Sequence, residues 1–198
     1  PYGRIISDKV GNLLRIVEAA DASPEELAVR DLNAGVYCFD AATLRDAVPR
    51  LDARNAQGEL YITDLLAIAS GDGGTTRAVV TGDAEELLGI NTRADLAIVE
   101  EVLQRRINTQ HMLNGVTMSQ PATITIEPDV RIGADTVILP GCALRGATTI
   151  GSGTTIGPRT TLVDTHVDDG AGIVESTCLQ ARVGRNASVG PYAYLRPD

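Results

Sequence analysis

At 198 residues, 43% hydrophobic and 22% charged, the chain has room for one large or two small domains and is too apolar for a disordered polymer. A net charge of −9 argues against nucleic acid or an anionic membrane surface as a partner. Aromatic residues make up only 3%, with no Trp and one Phe, so the core has to be filled by Ile, Leu, Val and Ala.

The first stretch mixes short apolar runs with helical patterns. "GRII" and "LLRIVE" read as strands around a turn at Asp8–Gly11. "SPEELAVRD" reads as a short helix, with Ser23 as N-cap, Pro24 at the first helical position and Glu26 completing a capping box. "AGVYCFD" reads as a buried strand, "AATLRDAVPRL" and "YITDLLAIAS" as helices, and "TRAVV" as a strand. Strands alternating with helices imply an α/β layer. Residues 92–114 carry the clearest helix. Leu96, Val99, Leu103 and Ile107 keep a three-to-four spacing, Ile98 and Val102 widen that face, and Thr92 with Asp95 caps the start. Such a helix between unlike regions would be a rigid connector.

From Ile126 the period changes. Ile126, Ile132, Ile138, Leu144, Ile150, Ile156 and Leu162 fall six residues apart. Four residues after each come Val130, Thr136, Cys142, Thr148, Thr154, Thr160 and His166, all but the last small or β-branched. This is the signature of a parallel β-helix, in which each unit of six is a short strand plus a corner and glycine can supply a positive φ. The phase then slips to Val167, Ile173 and Leu179, and again to Val183, Val189 and Leu195. Those slips predict loops leaving the corners at 162–167 and 179–183.

Cys38, Cys142 and Cys178 form no C-x-x-C pair, which fits reduced thiols in a cytoplasmic protein, and Cys142 falls on a small interior position. No signal peptide is read, and no apolar run approaches about 18 residues. His111 and His166 are not read as catalytic, and with only two histidines no His₃ metal site can form.

The hexapeptide run resembles the left-handed β-helix acyltransferases. "YGRI", "IVE" followed by "DAS", "NAGVY", "NAQGELYITD", "GIN" with "TRADL", and the closing "GPYAYLRP" narrow the resemblance. In this order, from Tyr2 to Pro197, they resemble the bacterial bifunctional N-acetylglucosamine-1-phosphate uridyltransferase/glucosamine-1-phosphate acetyltransferase family. The resemblance implies three parts. Residues 1–91 would be the C-terminal, sugar-binding part of a Rossmann-like α/β nucleotidyltransferase domain. Residues 92–118 would be a long connector helix and linker, and 119–198 the first coils of a left-handed parallel β-helix acetyltransferase domain. It also implies acetyl transfer from acetyl-CoA to glucosamine-1-phosphate, UMP transfer from UTP with Mg²⁺, and a homotrimer assembled through the β-helix.

Site residues follow from the same resemblance. Gly3 would bring its backbone to the bound sugar nucleotide. Glu18 would accept hydrogen bonds from sugar hydroxyls, Asn33 would hold the N-acetyl group or ribose, and Tyr61 and Thr63 would touch the sugar. Asn91 would bind UDP-N-acetylglucosamine and ligate Mg²⁺, an ion that favours oxygen ligands; its other reading is a helix cap. Arg196 would grip a sugar phosphate at the acetyl-transfer site. The family has Gly where this chain has Asp198, which leaves the backbone there open.

The family's Gly-rich, Lys-containing nucleotide loop, its second metal ligand (an Asp), its acetyl-transfer His and its CoA-binding coils are not in the sequence. The chain therefore reads as an internal piece of a longer protein, and it is expected to catalyse neither reaction alone. Two alternatives stay open: a single-function sugar-phosphate nucleotidyltransferase with a structural β-helix tail, and a non-catalytic β-helix scaffold.

Overall fold

The computed structural model describes residues 2–8 and 12–197 and divides into two units, Pro1–Gly89 and Ile90–Asp198. Beyond Asp8, the expected turn at Asp8–Gly11 lies outside the described residues, as does Asp198.

In the first unit, strands β1 (Arg4–Ser7) and β2 (Leu13–Val17) pair antiparallel. Helix α1 (Pro24–Leu27) opens on the expected capping box: Ser23 Oγ accepts the Glu26 N–H at 3.3 Å, and the Glu26 carboxylate accepts the Ser23 N–H at 2.8 Å. Helix α2 (Ala41–Ala47) is capped by Asp40, whose carboxylate accepts the N–H groups of Ala42 and Thr43. Helix α3 (Asp64–Gly71) starts later than "YITD" suggests, because Tyr61–Thr63 form a turn ahead of it. The core of this unit is small: Leu13, Ile16, Val17, Ala47, Leu65 and Ala69 are buried.

Two expected strands do not form. "AGVYCFD" has no strand, and only the residues before it touch the sheet, through an Arg4–Leu32 bridge and the Asn33 N–H to Gly3 oxygen bond. Asn33 Oδ1 then accepts the Gly35 N–H at 3.1 Å, and Gly35 turns the backbone at φ +74°, away from the sheet edge. "TRAVV" also lacks a partner, leaving Val79 95% and Val80 86% exposed. An apolar run becomes a buried strand only where neighbouring strands and covering helices exist. The described residues of this unit offer a single strand pair.

In the second unit, helix α4 (Arg93–Leu113) begins with the expected capping box of Thr92 and Asp95. Its apolar stripe is used only in part. Val102 is buried and Ile107 packs on the β-helix core, whereas Leu96, Ile98 and Leu103 are half exposed. The deepest contact is polar. Asn108, 2% exposed, donates from Nδ2 to the carbonyls of Pro121 (2.9 Å) and Ile124 (3.0 Å). Gln104 Nε2 donates to Asn108 Oδ1 (3.1 Å) and to the Ile126 carbonyl (3.3 Å). The helix thus satisfies the Ile124 and Ile126 carbonyls at the start of the solenoid and gives a second donor to that of Pro121, which also accepts the Ile124 N–H.

The rest of this unit is a parallel β-helix of hexapeptide repeats, with about five turns. Its short strands stack into three parallel sheets of five, four and five strands. One interior column runs Ile126, Leu144, Leu162, Cys178, Leu195. A second runs Ile132, Ile150, Val167, Val183, and a third Met118, Ile138, Ile156, Ile173, Val189.

These registers correct three expectations. The phase slips are not inserted loops. They are units of five residues, Leu162 to Val167, Ile173 to Cys178 and Cys178 to Val183, so later turns are tighter. Cys178, fully buried, takes the interior place expected for Leu179. Thr165, fully buried, takes the small-residue place expected for His166, which is exposed.

The small-residue column explains itself by hydrogen bonding. Thr136 Oγ1 donates to the Gly151 carbonyl at 2.8 Å, Thr148 to Arg145 at 2.6 Å, and Thr165 to Val163 at 2.9 Å. Each hydroxyl is small enough for the crowded interior and finds a carbonyl there; those of Arg145 and Val163 also accept the backbone N–H groups of Asp164 and Gln180, each using a second lone pair. Burial pushes the Cys142 and Cys178 thiols up, which suits inert packing roles.

Candidate functional site

The first unit gathers several of the residues singled out from the sequence. The end of β2 carries Glu18 beside Gly3. A Cβ on Gly3 would lie 3.3 Å from Glu18 Oε2 and 3.2 Å from the Val17 carbonyl, so a side chain there would press on the carboxylate. Glu18 Oε1 accepts a hydrogen bond from Thr63 Oγ1 at 3.2 Å, and Thr63 is 3% exposed. The Gly3 carbonyl accepts the Asn33 N–H at 2.9 Å. Gly3, Glu18, Asn33 and Thr63 therefore form one connected polar set.

Beside it opens a cleft of about 240 Å³, lined by Glu18, Asp21, Arg54, Asn55, Tyr61 and Asp64 among others. Tyr61 donates to Gln57 Oε1 at 3.0 Å. Burial first, then Asp21 and Glu18, holds its hydroxyl protonated above the usual phenol range. Burial, with Asp52 and Asp21, also pushes the Asp64 carboxyl up. The cleft thus offers several carboxylates and a phenol to hydroxyl-rich ligands, with Arg15 and Arg54 at its wall.

Three further cleft residues, Asp21, Asn55 and Asp64, sit inside "DAS", "NAQGELYITD" and "YITD" without having been singled out. Tyr37 was missed too. Its hydroxyl donates to Asn33 Oδ1 at 2.9 Å, and burial, with Glu18 nearby, raises its pKa. The signal for it was the aromatic that closes "NAGVY".

The remaining two residues are not part of this set. Asn91 belongs to the second unit and is exposed. It is not the helix cap: Thr92 fills that role, and the Asn91 backbone N–H merely donates to Asp95 Oδ2 at 3.1 Å. Asp95 is committed to the cap, and its hydrogen bonds from Thr92 and the backbone N–H groups lower its pKa. Among the described residues, no group of three His, Cys, Asp or Glu side chains could hold a metal ion. Arg196 follows the last strand of the β-helix and is exposed. No helix among the described residues is long and apolar enough to cross a membrane.

Comparison with known proteins gives this geometry a context. Residues 125–163 match the bacterial transferase hexapeptide family model, which describes six repeats. Over 196 residues the chain is 46% identical to the bifunctional protein GlmU of Clostridioides difficile, a match covering 99% of this chain and 43% of that protein. Over 196 residues it is 50% identical to the protein of the same name from Mycolicibacterium vanbaalenii, covering 99% of this chain and 40% of that one. A solved perosamine N-acetyltransferase from Caulobacter crescentus is 15% identical, overlapping 48% of this chain and 62% of that one at a TM-score of 0.20, too low to carry any argument. The resemblance drawn from the sequence motifs is borne out along nearly the whole chain. The chain spans about two fifths of the length of the curated relatives it matches.

Proposed function

We infer that this chain is a segment of a bifunctional N-acetylglucosamine-1-phosphate uridyltransferase/glucosamine-1-phosphate acetyltransferase. The observation that carries the reading is the continuous match across both units, at 46% to 50% identity, to proteins named as bifunctional. In this reading residues 1–91 belong to a Rossmann-like nucleotidyltransferase domain, 92–118 to a connector, and 119–198 to a β-helix that winds left-handed.

The polar set of the first unit suits an N-acetylated sugar. Glu18 keeps Oε2 for a sugar hydroxyl while Thr63 holds Oε1. Gly3 leaves the approach open, and Tyr61 lines the cleft beside them. The Asn33 oxygen is taken by Gly35 and Tyr37, so its NH₂ group is the part available to an acetyl oxygen or ribose. Asn91 offers one amide oxygen to Mg²⁺, which fits an ion that keeps most of its waters. The ion would supply charge neutralisation at the UTP phosphates; this chain's part is to orient sugar and nucleotide. Arg196 would hold the phosphate of glucosamine-1-phosphate, with acetyl-CoA as donor. The assembly is a homotrimer through the β-helix, and the compartment is the cytoplasm.

Separable lesions in the longer protein test the reading. Glu18→Ala is expected to lower uridyl transfer by about 10²-fold, the cost of about 2.7 kcal/mol of lost binding, with acetyl transfer unchanged. Arg196→Ala is expected to do the reverse. The isolated chain is expected to catalyse neither reaction. Loss of both activities in either variant, or a wild-type rate from the isolated chain, would contradict this reading. Absence of acetyl transfer from the longer protein would favour the single-function alternative.

A further inference from the structure

We propose that Thr149, His166 and Asp168 form an acyl-accepting site on the outer face of the four-stranded sheet, with activated esters and thioesters as donors. The parallel register fixes the placement. Arg131, Thr149, His166 and Arg182 stand opposite one another on successive strands. Their neighbours Ile132, Ile150, Val167 and Val183 form an interior column, so this row faces outward. Thr149 Oγ1 lies 2.6 Å from His166 Nδ1, and His166 Nε2 lies 2.9 Å from Asp168 Oδ1.

The donors and acceptors in this chain can be assigned. A carboxylate only accepts, so Nε2 carries the hydrogen and donates it to Asp168. Nδ1 is then the lone-pair nitrogen, and the Thr149 hydroxyl donates to it. Hydroxyl, imidazole and carboxylate stand in the order that lets the imidazole take the hydroxyl proton while the carboxylate holds the tautomer. Neighbouring strands of a solenoid lie at a fixed spacing, so Thr149 and His166 sit on rigid strands, with Asp168 at the corner that follows His166–Val167. The sequence gives no hint of this, because 17 residues separate Thr149 from His166.

The row beside the hydroxyl is mostly glycine. Two residues on from the outward row come Gly133, Gly151, Asp168 and Gly184. A Cβ on Gly133 would lie 2.7 Å from backbone atoms of Gly151 and Ser152, and one on Gly151 would lie 2.6 Å from the Asp169 nitrogen. Coil packing therefore forbids side chains at those two glycines. His166 remains open to solvent, with its side chain 49% exposed. Arg182 lies 3.7 Å from Asp168 Oδ1.

The step balances without a further reactant. Thr149 Oγ1 attacks the acyl carbon, forming an ester bond as the carbon–oxygen or carbon–sulfur bond of the donor breaks. The hydroxyl proton passes to His166 Nδ1 and from there to the departing aryloxide or thiolate. Asp168 stabilises the imidazolium in between.

Treating the purified chain with para-nitrophenyl acetate, and separately with a small-thiol acetyl thioester, followed by tryptic peptide mapping, tests this. The peptide 146–159 contains no Lys, Cys or Tyr, so any acetyl group on it sits on a hydroxyl. Acetylation is expected at Thr149, slowed about 10²-fold by His166→Gln, with Asp168→Asn slower than the native chain and Thr149→Val unlabelled. None of the three residues is buried, so each variant is expected to keep the fold. No label with either donor, label spread equally over Thr148 and Ser152, or a His166→Gln variant that reacts at the native rate would each overturn the proposal. The site stands apart from the function proposed above: aryl acetate reactivity depends on neither sugar nor coenzyme, so each can fail alone.

Discussion

The two units of this chain solve the same problem with unequal success. The β-helix buries a continuous interior in which Ile138, Leu144, Ile156, Leu162, Ile173 and Cys178 have no measurable exposure. Among its described residues the first unit buries six apolar side chains and leaves Val36, Val79 and Val80 between 77% and 95% exposed. The difference lies in the range of contact each architecture needs. A solenoid coil requires only the coils above and below it, so any run of coils builds a core. An α/β layer needs its whole sheet and the helices on both faces before any one strand is buried.

Substitutions in the two regions sharpen that contrast, beginning with the core. Leu162 lies between Leu144 and Cys178 with no exposed surface. Leu162→Ala is expected to cost about 2–5 kcal/mol in denaturant unfolding of the second unit, through lost burial and a cavity the stacked coils cannot collapse around. Val79→Ala, at an equally apolar residue of the first unit, is expected to stay within about 0.5 kcal/mol. A Val79 variant as costly as the Leu162 variant would mean that the first unit has a core these contacts do not reveal.

Next comes the polar seam between α4 and the first coil. Asn108→Leu keeps the volume but strands the Ile124 carbonyl and removes one partner each from the Pro121 carbonyl and the Gln104 amide. The expected cost is about 1–3 kcal/mol for each buried group left unsatisfied, read in the same unfolding transition. A neutral or stabilised variant would mean that water reaches the seam. Smaller still are the two capping boxes, one in each unit. Ser23→Ala and Thr92→Ala are each expected to cost about 1 kcal/mol of local helix stability, measured by amide hydrogen exchange at Glu26 and Asp95.

The contrast also governs what could be read in advance. The period of six survives translation into structure because each unit makes the same contacts, so seven aliphatic positions and six of the seven small positions were legible directly. The five-residue units were not. Cys178 resembles the small interior residues more than the aliphatics, and Leu179 beside it offered a false continuation of the period. "AGVYCFD" has strand composition, but composition cannot report whether a neighbouring strand is present. Gly3, Glu18, Asn33 and Thr63 were legible only through motif resemblance, since residues 3 and 63 meet through Glu18 and no spacing rule connects them. Asn108 was invisible because a hydrophobic-periodicity argument passes over an amide.

The smallest expected effect is a pH dependence shared by both units through their helix caps. Asp40 caps α2 in the first unit, where hydrogen bonds from Thr43 and neighbouring N–H groups hold its carboxyl below the ordinary range. Asp95 completes the cap of α4 in the second, lowered first by the Thr92 hydroxyl and then by the N–H groups of Asn91 and Thr92. A depressed folded pKa means that the unfolded chain binds the proton more readily. The caps therefore contribute fully above the unfolded aspartate value of about 3.9, and their contribution is lost as pH falls through the lower folded value. Asp95→Asn should remove the acid-dependent part of α4 fraying and leave that of α2 in place, with Asp40→Asn doing the opposite. Carboxyl carbon shifts followed by NMR from pH 6 down to about 2 would register each group separately. If both aspartates titrated at the unfolded value, the two caps would contribute nothing through charge, and only the hydroxyl and backbone geometry at Ser23, Thr43 and Thr92 would remain to hold the helix starts.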